Sequence, residues 1–134
     1  MIKLLIVDDE KIIRETLLKH IPWEALGIRV IGTAQNGLEA YDVIMDEYPD
    51  IVMTDIKMPG LSGLELLQRI KRLHPEVEFI ILSGYGEFEF AREAMQFGVR
   101  HYLLKPFKEE MIIQTVREVS EEIARKRISS VPYN

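Results

Sequence analysis

The sequence predicts an α/β fold in which helices cover both faces of a parallel sheet. Five short apolar runs alternate along the chain with five amphipathic stretches, which is the pattern of successive βαβ units. Two of the runs, at residues 51–53 and 79–82, are apolar without alternation, as strands buried on both faces should be. Because crossovers between parallel strands are right-handed, few topologies remain, and a doubly wound sheet is the simplest of them.

The strands are predicted where β-branched and other apolar residues cluster between turn signals. They cover residues 3–7, 28–34, 50–54, 77–82 and 101–104. Tyr48-Pro49-Asp50 marks the start of the third strand, and His74-Pro75 precedes the fourth.

The helices are predicted over residues 10–20, 37–47, 63–74, 87–97 and 108–127. Asn36-Gly37 precedes the second helix, and Phe97-Gly98 closes the fourth. The last helix has apolar residues at spacings of four, three and four, which predicts a stripe facing the sheet: Ile112, Val116, Val119 and Ile123.

Composition limits the class of protein. The chain has 134 residues, 47% hydrophobic and 29% charged, which suits one globular domain. It has no cysteine, so disulfides and thiolate metal sites are excluded, and a cytoplasmic location is expected. No apolar run is long enough for a signal peptide or a membrane span. The net charge of −5 argues against direct nucleic-acid binding, because the basic residues near the end stand among glutamates, as on a solvated helical face.

Polar side chains follow four of the predicted strands. Asp8 and Asp9 come after the first strand, Asp55 after the third, Ser83 after the fourth and Lys105 after the fifth. The carboxyl ends of parallel strands meet at one edge of a sheet, where functional groups gather. Taken singly, each residue has an ordinary structural use: Asp9 as a helix cap, Ser83 as a turn residue, Lys105 as a solvated charge.

Taken together, the same residues favour a chemical site. Clustered carboxylates repel one another unless a cation lies among them. Hard oxygen ligands without histidine or cysteine suit Mg²⁺. A carboxylate held near Mg²⁺ and a lysine is a plausible nucleophile toward a phosphoryl group, because both cations offset charge on the transferred oxygens.

Four segments at these strand ends carry a resemblance to a known family. They read LLIVDDE, DIVMTDIKMPGLSG, FIILSGYGE and HYLLKPF. In this order and at these element boundaries they resemble the signature of response regulator receiver domains, over roughly residues 2–127. The resemblance implies a flavodoxin-like (βα)5 sandwich with a sheet of order 2-1-3-4-5.

The resemblance also implies roles for the acidic residues. Asp55 matches the aspartate that accepts phosphate from a sensor histidine kinase. Asp8 and Asp9 match the pair that holds Mg²⁺, with Asp9 as the direct ligand and Asp8 acting through water. Asp55 and the backbone carbonyl of Lys57 would complete the metal site. The implied molecule is a phosphorylation switch rather than an enzyme with a separate substrate.

The remaining site residues follow from the same resemblance. Ser83 matches the hydroxyl residue that bonds the phosphoryl group, and Lys105 matches the lysine that pairs with it. Tyr102 matches the aromatic switch residue on the fifth strand. The bond before Pro106 is expected to be cis, in a turn that directs Lys105 into the site.

Three other functions are open to a chain of this class. A haloacid-dehalogenase-type phosphatase would need an acid two residues after Asp55, where Lys57 stands. A flavin or nucleotide binder would need a glycine-rich or hydroxyl-rich loop after the first strand, where the acidic pair would repel phosphate. A degenerate receiver that serves only for interaction is disfavoured by the intact Asp8, Asp9, Asp55 and Lys105.

The organisation beyond the site is also predicted. We expect the receiver domain to span residues 1–127, and residues 128–134 to begin a linker, because Pro132 and its neighbours would not continue a helix. The amino-acid sequence of several segments resembles receivers attached to AraC-type DNA-binding domains. Such an output domain is therefore expected to follow, with a stand-alone receiver as the alternative. A phosphorylation-dependent homodimer is compatible with this reading.

Overall fold

The computed structural model describes residues 1–84 and 86–129; Tyr85 and residues 130–134, within the expected linker, lie outside the described residues. Five parallel strands lie in the order β2-β1-β3-β4-β5, which confirms the predicted fold class and strand order. The strands are β1 (Ile2–Val7), β2 (Ile28–Ala34), β3 (Ile51–Asp55), β4 (Glu78–Ser83) and β5 (His101–Leu104). The helices are α1 (Lys11–His20), α2 (Gly37–Glu47), α3 (Gly63–Leu73), α4 (Phe88–Met95) and α5 (Glu109–Ser129).

Two apolar cores lie on opposite faces of the sheet. Leu4 and Ile6 of β1 face α1 and α5, whereas Leu5 and Val7 of the same strand face α2, α3 and α4. Every residue of β3 and β4 is buried, because the central strands are covered on both faces. The predicted stripe of α5 is buried as well: Ile112, Val116, Val119 and Ile123. Among the described residues, no helix has the length and apolarity needed to cross a membrane.

Side-chain caps define where two of the helices begin. Asn36 accepts a hydrogen bond from the backbone N–H of Glu39 at the start of α2, and Ser62 accepts one from Glu65 at the start of α3. Each bond satisfies a backbone donor that has no partner within the helix, which is worth about 1 kcal/mol. The start of α3 matters most for function, because this helix follows the loop after Asp55.

The last helix is longer than predicted. It runs to Ser129, two residues past the predicted end at Arg127. Lys126 Nζ lies 2.7 Å from Glu78 Oε1, and the Arg127 guanidinium pairs with Asp50. These ion pairs join the final turn to the amino-terminal ends of β3 and β4. Pro132 excludes helix only close to itself, so the sequence signal placed the end too early.

The fourth helix is shorter than predicted, ending at Met95 instead of residue 97. The N–H of Phe97 bonds the carbonyl of Ala94, and that of Gly98 bonds Met95, so the chain tightens into three-residue turns. Gly98 then adopts a φ of 88°, in the left-handed region that favours glycine.

Trp23 has the packing role at a helix end that its position suggests. Its side chain is buried, and its indole N–H donates to the carbonyl of Leu17, 2.9 Å away, in the last turn of α1. The bond satisfies a carbonyl that has no partner within the helix.

Candidate functional site

The predicted site residues converge at the carboxyl edge of the sheet. Asp8 directly follows β1, Asp55 and Ser83 end β3 and β4, and Lys105 directly follows β5. The sheet register holds these ends level, since Asp55 pairs with Leu82 across β3 and β4. The strand order reverses between β1 and β3, and such a switch point is where open α/β sheets bind ligands.

One lysine bridges two buried carboxylates at this edge. Lys105 Nζ lies 3.0 Å from Asp8 Oδ2 and 3.3 Å from Asp55 Oδ2. Asp8 is 0% exposed and Asp55 4% exposed, so both carboxylates are removed from water. Two negative charges therefore share one cation, and the cluster carries a net negative charge.

Backbone and side-chain hydrogen bonds fix the first loop. Asp8 Oδ1 accepts a bond from the N–H of Glu10, and Arg14 on α1 donates to the Asp8 carbonyl at 2.8 Å. Glu10, rather than Asp9, is the capping residue of α1, so Asp9 is not occupied as a helix cap. No role was predicted for Arg14. The sequence feature that could have indicated it is a basic residue one helical turn after an acidic residue at the start of α1.

Gly63 sets the close approach of α3 to the acceptor position. A Cβ built on Gly63 would lie 1.9 Å from the backbone oxygen of Asp55, so no other residue fits without a shift of backbone. The Asp55 carbonyl also accepts a bond from Thr54 Oγ1 at 2.9 Å. The glycine was part of the sequence motif, but its role was not predicted, because the contact depends on how α3 packs.

The electrostatics of the cluster shift two pKa values. The pKa of Asp55 is raised from 3.8 to about 7, chiefly by burial and also by the neighbouring charge of Asp8, whereas Lys105 acts to lower it. Burial acts to lower the pKa of Lys105, but its close contact with Asp8 and the charges of both carboxylates outweigh burial, so that pKa is raised. The lysine stays charged, and Asp55 is the group whose negative charge is costly.

The donor set fits a hard divalent cation. Carboxylate oxygens of Asp8, Asp9 and Glu10 lie within 4.8 Å of one another. Asp55 Oδ1 is buried and accepts no hydrogen bond from any residue that the structure describes. A buried carboxylate oxygen without a partner is costly, and a cation would satisfy it. Glu10 was not among the predicted metal ligands, and its carboxylate joins the cluster.

Ser83 and Tyr102 lie on neighbouring strands beside a groove. Ser83 is buried, whereas Tyr102 is 47% exposed. Between β5 and α4 lies a cavity of ≈ 460 Å³, lined in part by Ser83, Ala91, Met95, Tyr102 and Leu104. Its apolar wall offers space into which an aromatic ring could turn.

Two further predicted positions are described by the structure. The peptide bond between Lys105 and Pro106 is cis. Lys57 is exposed, and its ammonium lies 5.6 Å from the ring centroid of Phe90 on α4. The side chain of Lys57 thus points toward α4, and the role of its carbonyl as a metal ligand stays a prediction.

Comparison with known proteins agrees with this geometry. The family model described as the response regulator receiver domain matches residues 4–117. The uncharacterized transcriptional regulatory protein YesN of Bacillus subtilis is 51% identical over 128 residues, which cover 96% of this chain and 35% of YesN. The chain thus spans about a third of that relative's length.

Two solved structures are similar over nearly their whole length. The receiver domain of AraT, a response regulator from Geobacillus stearothermophilus, is 34% identical with a TM-score of 0.89, covering 93% of this chain and 97% of the other. A two component transcriptional regulator AraC from Clostridium phytofermentans is 31% identical with a TM-score of 0.88, covering 95% and 98%.

Proposed function

Because the chain belongs to the response regulator receiver domains of two-component systems, we propose that it is a phosphorylation switch in which Asp55 accepts a phosphoryl group from a sensor histidine kinase. One observation carries the proposal. Asp55 ends a buried strand with one carboxylate oxygen 3.3 Å from Lys105 Nζ and the other without a hydrogen-bond partner among the described residues.

The chemistry is an in-line displacement at phosphorus. An oxygen of the Asp55 carboxylate forms a bond to phosphorus while the P–N bond to the kinase histidine breaks, and the electron pair of that bond leaves with the imidazole nitrogen. Asp55 must be ionised to attack. The Lys105 ammonium supports the ionised form and lies where it can pair with a transferred oxygen. The domain promotes this transfer and its own dephosphorylation, and acts on no other substrate.

The acidic groups are proposed to hold Mg²⁺. Asp8, Asp9, Asp55 and the carbonyl of Lys57 would hold it, with Glu10 close by. When bound, Mg²⁺ would offset negative charge on the acceptor and on the transferred oxygens. The charge around Asp55 supports this reading, because burial and the charge of Asp8 raise its pKa, and a bound cation would offset both effects.

The signal is proposed to pass through Ser83 to Tyr102. An acyl phosphate on Asp55 adds strong acceptor oxygens at the edge of the sheet. Ser83 Oγ would turn to donate to one of them, and the Tyr102 ring would move from its half-exposed position into the groove beside α4. The surface of α4, β5 and α5 would then present a changed shape to a partner.

The partners follow from the proposed switch. We infer a cytoplasmic response regulator with this domain at residues 1–127 and a linker from residue 128. An AraC-type DNA-binding domain would follow, which the names of the similar solved receivers support. The fragment itself is acidic, so DNA binding belongs to the output domain. Phosphorylation would promote a homodimer.

Mass spectrometry tests the acceptor. The protein and its Asp55→Asn variant are incubated with acetyl phosphate and Mg²⁺, and both are weighed intact. We expect one added phosphoryl group on the parent and none on the variant. A stable phosphate on the variant would place the acceptor elsewhere, and an unmodified parent would remove the proposed function.

The Ser83→Ala variant tests the signal path. It should still take phosphate on Asp55, because the nucleophile and the acidic groups remain. NMR of the Tyr102 ring should then show little change on phosphorylation, whereas the parent ring shifts. Equal ring shifts in both proteins would show that the hydroxyl does not transmit the signal.

A further inference from the structure

A pair of hydrogen bonds joins Gly84, at the end of β4, to Glu87, at the start of α4. Glu87 Oε1 accepts a bond from the backbone N–H of Gly84 at 3.0 Å. The N–H of Glu87 donates in turn to the carbonyl of Gly84 at 3.2 Å. The two residues therefore hold each other through both main chain and side chain.

This pair joins the proposed site to the proposed output surface. Gly84 directly follows Ser83 at the end of β4, and Glu87 directly precedes α4. Gly84 also lines two cavities, one with Lys105 and Pro106 on the side of the site, the other with Tyr102 on the side of α4. A change at Gly84 can thus reach both surfaces.

The buried position of the Glu87 carboxylate is energetically unfavourable. Its second oxygen, Oε2, is buried and has no hydrogen-bond partner among the described residues. None of the ion pairs in the described part of the chain involves Glu87. A half-satisfied carboxylate is more easily displaced than one paired with a cation.

We propose that Glu87 is a latch that holds the start of α4 against the end of β4 in the unphosphorylated protein by occupying the Gly84 amide. The inference rests on the proposed phosphorylation of Asp55. A phosphoryl group adds about 1.5 to 2 negative charges at the same edge, which repel the Glu87 carboxylate. The Gly84 amide is the first backbone donor after Ser83, so its release offers the phosphoryl oxygens a further donor. Displacement of Glu87 frees the start of α4 in the same step.

The test compares Glu87→Ala with Glu89→Ala. Glu89 lies on the exposed side of the first turn of α4, so its variant makes the same change of charge without touching Gly84. Glu87→Ala should accelerate phosphorylation by acetyl phosphate about five- to tenfold, the size expected for losing one hydrogen bond that favours the resting state. Glu89→Ala should react like the parent. Without phosphodonor, the Gly84 amide and Tyr102 ring signals of Glu87→Ala should already lie part of the way to their phosphorylated positions.

A second variant breaks the bond without removing the charge. A Cβ at Gly84 would lie 2.9 Å from Glu87 Oε1, so Gly84→Ala should push the carboxylate away and accelerate the reaction in the same direction. If both variants keep the parent's rate and the parent's Gly84 and Tyr102 signals, there is no latch. If the parent itself takes no phosphate on Asp55, the proposed function fails instead, so the two failures are distinguishable.

Discussion

The two edges of the sheet both carry carboxylates and cations, but they pair them in opposite ways. At the amino-terminal edge two carboxylates have a cation each, Glu78 with Lys126 and Asp50 with Arg127. Asp50 also accepts a bond from the N–H of Lys3 at 2.8 Å. At the carboxyl edge Asp8 and Asp55 share Lys105, and one oxygen of Asp55 accepts nothing from the described residues.

The difference separates an edge that serves stability from one that serves chemistry. Carboxylates that are already paired with cations do not need a ligand to balance their charge. The ion pairs at the amino-terminal edge hold the last turn of α5 against the sheet. Unmatched, buried carboxylates destabilise the folded chain until a cation joins them. The concentration of negative charge at the carboxyl edge therefore supports the proposed Mg²⁺ site and the proposed phosphoryl acceptor.

Removing the shared cation should have the largest effect on stability. Lys105→Met leaves two buried carboxylates without a cation and should lower the free energy of unfolding by about 3 kcal/mol at pH 8 without Mg²⁺. Lys126→Met at the opposite edge is the matched control. Its side chain is 62% exposed, so that loss should stay below about 1 kcal/mol. Urea unfolding measures both, and equal losses would remove the distinction between the edges.

Neutralising the acceptor should stabilise the metal-free protein. The pKa of Asp55 is raised from 3.8 to about 7 in the folded state. The contribution of the protonated carboxyl to the free energy of unfolding is therefore fully present below pH 3.8 and is lost as pH rises through 7. Asp55→Asn should therefore gain about 2 kcal/mol over the parent at pH 8, and that gain should shrink toward pH 5.

The opposite edge supplies the control for this prediction. Asp50→Asn should destabilise the protein, because Asp50 pairs with Arg127 and accepts a hydrogen bond from the backbone N–H of Lys3. Unfolding curves from pH 5 to pH 8 follow both variants. A gain for Asp55→Asn that did not depend on pH would contradict the electrostatic cause.

Mg²⁺ should produce the smallest of the three effects. Sites with few protein ligands bind this ion with about millimolar affinity, so 10 mM Mg²⁺ should raise the stability of the parent by about 1 kcal/mol. Asp9→Ala should lose most of that gain. Thermal melts with and without the ion measure it, and Glu76→Ala at the opposite edge should respond as the parent does. An unchanged gain in Asp9→Ala would move the metal away from Asp9.

The sequence predicted the fold closely because its signals are local and regular. The uninterrupted apolar runs of β3 and β4 required cover on both faces, and both strands are buried throughout. The end of α5 was misplaced, since Lys126 and Arg127 are held by residues 48 and 77 positions away in the chain. No local pattern reports such distant partners.

The residues that form the site could be predicted from the sequence, but the way in which their charges are paired could not. Asp8, Asp55 and Lys105 could be placed at one edge from the order of the strands. That one lysine serves both carboxylates, and that Asp55 Oδ1 is left without a hydrogen bond, depends on distances of a few ångströms. The Glu87–Gly84 bond was likewise invisible, because a glutamate before a helix usually indicates favourable helix-end charge and nothing more.

The close packing of Gly63 should make position 63 intolerant of substitution. In a saturation library scored only for correct folding, position 63 should be depleted of every side chain, because even alanine would meet the Asp55 backbone oxygen at 1.9 Å. Gly32 on the edge strand β2 has open space around it and should accept alanine. Depletion eight positions after the acceptor would look like a catalytic requirement, although its cause is steric.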